Sequence, residues 1–472
     1  MDQKNMDLGN ERVGKLLFSL AVPTITSQIV NMLYNLVDRV YIGHMQPVET
    51  VGKLALTGVG VCLPVILVIS AFAALLASGG APQASIAEGQ GDLGKSERIM
   101  ATSMTMLVAV SIVLTAGFLI FSEPLLRLLG ASDNTIDYAL DYMRIYCLGT
   151  VFVQVTLGMN AYITAQGFTM IAMKTVLIGA GLNTVLDPIF IFLFGMGVQG
   201  AALATIISQA ISAIWVLRFL TGPKTKWRLR RKFLQPQLEI VLSIVALGAS
   251  PFVMQCTESI ITMCFNSSLL KYGGDLAVGA MTILASIMQQ FAIMPLQGLT
   301  QGAQPIISYN FGAKNAKRVR QAFHALLATC VIYSILLWIL VQIFPQRFAL
   351  IFTSDAELVN YTAWALRIYM GSTGIFGIQM ACQYTFVALG NAKASLFLAV
   401  LRKIILLIPL IYILPHFFSN QAFAIFLAEP VADFLAVCTT SVMFAIQFRK
   451  NLRPILLCVP APCGGGNTQE KC

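Results

Sequence analysis

Five acidic residues stand inside apolar runs of this 472-residue chain: Asp38, Asp187, Glu258, Glu429 and Asp433. An ionised Asp at the centre of a bilayer costs about 2.5–3.5 kcal/mol on insertion scales, and such groups face a bundle interior or a cavity that carries ions or substrate. The chemistry they offer is the capture and release of a proton or a cation. Asp187 lies in LNTVLDPIFIF, residues 182–192, four residues after Asn183 and directly before Pro188. That spacing puts Asn183 and Asp187 on one helical face. Asp before Pro is also a helix-restart signal, with Asp as N-cap and Pro at the first helical position. A helix break at membrane depth is itself typical of transport sites, so the functional reading is preferred.

Asp38 follows Gln28, Asn31, Tyr34 and Asn35 at spacings of three and four, which makes a polar stripe along one face. Interhelical hydrogen bonding alone needs no ionisable member. A second stripe holds Gln255, Glu258, Ser259, Thr262 and Asn266; Gln289, Gln290, Gln297, Gln379, Gln383 and Tyr384 follow later. Both halves of the chain are therefore expected to face a shared cavity. Glu429 and Asp433 flank Pro430 closely, and a helix break and a site are both open for them.

The elements that position these residues are membrane helices. The chain is 57% hydrophobic and 11% charged, against about 25% charged residues in soluble domains. A helix needs about 20 apolar residues to cross the hydrocarbon. Twelve stretches qualify: 16–42, 52–80, 99–121, 138–164, 172–194, 199–220, 238–264, 277–302, 322–344, 359–388, 396–414 and 422–447. The backbone must satisfy itself in lipid, so these are helices and the fold class is all-α. The first apolar run is read as a retained span. With both termini cytoplasmic, the segments on that side, 390–403 among them, carry 24 of the 31 basic residues, as the positive-inside rule requires. The net charge of +10 thus reports topology and contact with anionic lipid, and nucleic acid is not an expected partner.

The basic stretch KTKWRLRRKF, residues 224–233, falls between the sixth and seventh spans. Order and offset recur around it: Ser-Asp at 132–133 and 354–355, Arg-Ile-Tyr at 144–146 and 367–369, Gly-Ala at 80–81 and 302–303. Ala165-Gln166-Gly167 is matched by Ala388-Leu389-Gly390, and Pro23 by Pro251. The expected organisation is two six-helix bundles related by a pseudo-two-fold axis: 1–220, a linker at 221–236, 237–450, and a disordered tail at 451–472. An even number of spans per half makes the repeats parallel.

No pair among the ten cysteines has CxxC spacing, the three histidines have no metal-ligand or triad spacing, and no P-loop is present. Neither an enzyme nor a resident metal is expected.

AVPTITSQIVNMLYNLVDRVYIG in the first span, NTVLDPIFIF in the fifth and QGAQPIISYNFGAKN after the eighth resemble the bacterial multidrug and toxic compound extrusion (MATE) transporters, over about residues 12–450. The resemblance implies a cation site at Asp38, Asn183, Asp187 and Thr205, with Tyr34 and Asn160 in the same pocket and a bend at Pro23. Glu258 matches the seventh-span acid of a second-half scheme, but the tenth-span Asp of that scheme is missing from GIQMACQYTF. The first half is therefore the expected coupling site. The resemblance further implies a plasma-membrane exporter, read as a monomer, with no cofactor beyond a coupling proton or sodium ion held at those oxygens. Its substrates would be bulky, apolar and often cationic drugs or toxins. A lipid-linked oligosaccharide flippase would need more basic residues within the spans, where only Arg39, Arg144 and Arg367 come close. A non-coupled channel is the remaining reading.

Overall fold

The structure, a computed structural model, describes residues 7–45 and 51–457. The first half of the chain forms α1 (Val13–Gly43), α2 (Lys53–Gly89), α3 (Leu93–Ile120), α4 (Ser122–Leu128), α5 (Ile136–Leu148), α6 (Thr150–Ala165), α7 (Thr169–Pro188) and α8 (Gly197–Thr221). The second half forms α9 (Leu238–Ile287), α10 (Met294–Gly312), α11 (Ala316–Ile343), α12 (Pro345–Leu350), α13 (Ala356–Tyr369), α14 (Thr373–Ala388), α15 (Ala392–Val400), α16 (Ile408–Ile413) and α17 (Gln421–Leu457). No strand occurs among the described residues.

Nine helical stretches among the described residues are long and apolar enough to cross a membrane, or ten if the bent pair α5–α6 is one span. The longest, Leu238–Gly312, has 75 residues. Straight, it would reach about 110 Å, far beyond a hydrocarbon core of about 30 Å. It breaks at Gly274, whose φ of 68° and ψ of −168° suit glycine and little else. The break separates the stretches expected at 238–264 and 277–302. The stretch expected at 359–388 is two helices, α13 and α14, and 138–164 is α5 and α6, bent by 56°. The last helix runs past the expected boundary at 450 to Leu457; residues 458–472, with Cys458, Cys463 and Cys472, lie outside the described residues.

Local signals explain the helix starts. Asp92 caps α3 by accepting from the Lys95 amide at 2.9 Å, and Asn315 caps α11 by accepting from the Arg318 amide at 3.2 Å. Among the described residues, π-helical turns include Ile189–Leu193 after Pro188, Met288–Ile293, and Leu401–Leu407. Two of them flank or contain charged residues of the apolar runs, which is where such widened turns often serve function.

The halves of the chain meet along α1/α10, α2/α9 and α2/α10, where glycines bring backbones together. A Cβ at Gly79 would collide with the Ile244 carbonyl, and one at Gly248 with the Leu75 carbonyl. Gly89 and Gly312 fit against Tyr309 and Ile86 in the same way. Thr24 Oγ1 donates to the Gly298 carbonyl at 2.6 Å, and Gln28 Nε2 to Gln301 Oε1 at 3.4 Å.

The basic linker is not free chain. Gln166 Oε1 accepts from Thr225 Oγ1 (2.8 Å), Lys226 N (2.8 Å) and Trp227 N (3.1 Å), and Trp227 is fully buried. Lys226 pairs with Glu88 at 3.3 Å and Arg230 with Glu97 at 3.1 Å. Part of its charge thus binds protein rather than lipid.

Candidate functional site

Three helices bring the first-half residues together: α1 supplies Tyr34 and Asp38, α7 supplies Asn183 and Asp187, and α8 supplies Thr205. Asn183 Nδ2 donates to Asp187 Oδ1 at 3.1 Å and lies 3.3 Å from Thr205 Oγ1. The Asp38 and Asp187 side chains are within hydrogen-bonding reach of each other. Asp187 is fully buried and Asn183 nearly so.

Asp187 does not restart a helix. α7 runs through it without a break, Pro188 is its last residue, and the chain passes directly into the π-helical turn Ile189–Leu193. The N-cap reading and the expected helix break are both corrected: Pro188 is accommodated by widening the helix, and the Asp187 carboxylate turns to Asn183 and Asp38 instead of to a backbone amide.

Asp38 Oδ1, Asp187 Oδ2 and Asn183 Oδ1 are buried and have no donor in the protein. Buried polar atoms in folded proteins are nearly always satisfied. Two carboxylates in reach of each other bring acceptors only, so a bond between them requires a shared proton or a cation. The arrangement fits that chemistry.

The remaining first-half residues spread along α1 and α6. Asn35 Nδ2 donates to the Asn31 carbonyl at 2.7 Å, Asn31 and Gln28 are half-buried, and Gln28 joins α10. Pro23 is buried within a continuous α1. Asn160 donates to the Ala172 carbonyl at 3.2 Å. Ala172 precedes Asn183 by eleven residues on α7, about 16 Å along the axis, so the structure sets Asn160 apart from the two acids.

In the second half, the acids have basic partners that the sequence did not reveal. Lys403 Nζ lies 2.6 Å from Glu258 Oε1. Arg402 reaches Asp433 Oδ1 from Nε at 2.6 Å and Glu429 Oε1 from its terminal nitrogen at 3.2 Å, and stacks over Phe376 at 4.7 Å. Both basic residues are 4% exposed. The expectation that 390–403 is a surface segment is corrected here. α15 begins at Ala392 behind the N-cap Asn391, so Arg402 lies ten residues into the helical run, about 15 Å deep. The Asn391 cap was the signal that could have moved the span upstream. Glu429 and Asp433 do not mark a helix break, because α17 is continuous through Pro430.

Gln379 is buried and accepts from Thr440 Oγ1 at 2.6 Å. Gln383 Nε2 donates to Ser250 Oγ and the Ser395 carbonyl, while its Oε1 has no donor. Gln255 is half-buried, its Oε1 likewise without a donor, and Gln289 is exposed in the π-helical turn.

"Multidrug export protein MepA" of Staphylococcus haemolyticus is 24% identical over 425 residues, covering 90% of this chain and 92% of that protein. MepA of Staphylococcus aureus is 25% identical over 427 residues, covering 90% and 93%. A crystal structure of MATE in the bent conformation superposes with a TM-score of 0.89 at 22% identity, over 97% of this chain and all of that one. An outward-facing multidrug resistance MATE family transporter of the MOP superfamily gives 0.88 at 22%, over 96% and 100%. The family model MatE matches residues 23–189 and 251–413, well over half of the sequence, and the chain belongs to the MatE family.

Proposed function

We propose that this chain is a cation-coupled antiporter that exports apolar, often cationic small molecules by alternating access. Its relatives are multidrug export proteins, and the reading extends their activity to this chain. The observation that carries it is the set Asp38, Asp187 and Asn183, whose three buried and unpartnered oxygens come from two separate helices. A proton shared by the acids, or a sodium ion held with Thr205, satisfies them; release leaves two like charges in a low-dielectric site. That difference couples the ion to movement of α1, with Pro23 as the bend.

In this reading twelve helices cross the plasma membrane, counting α9 as two arms about Gly274, and α5–α6 and α13–α14 as one span each. The 28-residue α3 and α11, and the 16-residue α6 and α14, support two lobes of six related by a pseudo-two-fold axis. Both termini are cytoplasmic. The glycine seam then lies on the cytoplasmic side. The protein works as a monomer with no cofactor beyond the coupling ion, and catalyses no bond chemistry.

The test is ethidium efflux from cells under imposed proton and sodium gradients in turn, with Asp187→Asn beside wild type. Asn keeps the shape and cannot titrate. Loss of driven efflux by a variant that reaches the membrane supports the reading, and unchanged efflux overturns it. A flippase reading gains little from Arg402 and Lys403, since each is already held by carboxylates. A channel would conduct current far above turnover rates.

A further inference from the structure

The second-half cluster holds three carboxylates, Glu258, Glu429 and Asp433, against two cations, Arg402 and Lys403. The two cations are not equivalent. Arg402 is fixed between two buried acids and an aromatic face. Lys403 is tied to one acid, and that acid is open: the Glu258 side chain is 43% exposed while that of Lys403 is 5% exposed. Lys403 also sits on a π-helical turn at the end of a flexible four-carbon stem.

A small pocket beside the pair is lined by Met254, Gln379, Met380, Gln383, Arg402 and Lys403. Leu398 and Ala399 complete its lining, and Gln383, 3% exposed, has an Oε1 without a donor. Lys403 and Gln383 line the same pocket, which makes this free acceptor the alternative partner for the ammonium once it leaves Glu258. An anionic ligand finds no comparable opening, because both cations already hold carboxylates.

We infer that Lys403 is a tethered counter-cation of Glu258, and that an organic monocation recognised in the second half displaces it, Glu258 taking the ligand's charge and Gln383 the ammonium. Lys403 is thus a specificity-determining residue: it competes with every cationic substrate and sets how strongly one must bind to be accepted. This rests on the exporter reading above, but its test needs no ion gradient.

The experiment is equilibrium binding of ethidium to the purified full-length protein in detergent, with a neutral dye as control. Lys403→Met is expected to tighten ethidium about tenfold, and Glu258→Gln to weaken it about tenfold, with the neutral dye unmoved. Lys403→Arg is expected to weaken ethidium several-fold, because a guanidinium holds a carboxylate in a fixed fork. Unchanged or weaker ethidium binding in a folded Lys403→Met protein overturns the inference, as does equal tightening of the neutral dye. If Lys403→Met fails to fold, the Arg and Gln variants decide, and no change in both overturns it. Wild-type binding of an anionic sulfonate dye that disappears in Lys403→Met would overturn the cation assignment. If driven efflux is absent while this binding pattern holds, the transport reading falls and the inference stands; the reverse outcome removes the inference alone.

Discussion

Asn183 donates its side-chain amide to Asp187 across one turn of α7, Nδ2 to Oδ1 at 3.1 Å, and the same nitrogen approaches Thr205 on α8. A single neutral donor therefore ties two helices to the acid that also faces Asp38 on α1. Truncation to Asn183→Ala removes the donor while leaving Asp187 buried. A hydrogen bond to a charged group is worth about 1.5–3 kcal/mol, so driven efflux is expected to fall at least tenfold with expression retained. Efflux kinetics beside a membrane-insertion assay check this.

Asp38 and Asp187 are expected to behave as one unit. Groups that share a proton show strong non-additivity in double-mutant cycles. Asp38→Asn, Asp187→Asn and the double variant should lose similar amounts of gradient-driven efflux. Independent, multiplying losses would separate the two acids.

The seam between the halves tolerates no side chain at Gly248, where a Cβ meets the Leu75 carbonyl. Gly248→Val is expected to lower the thermal midpoint in detergent by several degrees, in line with overpacking costs of about 1–3 kcal/mol. Gly181, where an added Cβ has nothing within 4 Å, is the matched control: Gly181→Ala should leave the midpoint within a degree or raise it.

Gln166 fastens the basic linker through one oxygen with three donors. Gln166→Leu leaves the Lys226 and Trp227 backbone amides without that acceptor, at about 1–3 kcal/mol for each buried group left unsatisfied, while the Thr225 hydroxyl keeps the Trp227 carbonyl at 2.9 Å. Limited proteolysis should then cut between residues 222 and 236 several times faster than in wild type.

The segment before α1 carries a pH-dependent contact. Asn10 Nδ2 donates to Asp7 Oδ2 at 2.6 Å, and Leu8 and Glu11 give their carbonyls to Arg318. The Asn10 bond holds the Asp7 carboxyl below its ordinary value of 3.8. A depressed acid stabilises above its unfolded value, and that contribution is lost as pH falls through the folded value. Amide exchange of residues 8–11 should therefore be unchanged from neutral pH down to about 4 and rise below that, more so in wild type than in Asp7→Asn.

Much of this protein was legible along the chain. Hydropathy fixes the solvent as lipid, and lipid forces the backbone into helices. Asp38, Asp187 and Glu258 stand out because a charge in an apolar run is costly. Span ends and caps are local, so their misreading at Ala392 came from one overlooked Asn. Two things needed tertiary structure. Lys403 meets Glu258 across 145 residues, and Arg402 meets Glu429 and Asp433 across 27 and 31. A basic pair at the edge of an apolar run reads as a surface anchor, since burial alone is prohibitive; it becomes tenable only where other helices deliver carboxylates. The approach of Asp38 to Asp187 has the same origin. Helical periodicity says which residues share a face, but the packing of α1 on α7 decides which faces meet.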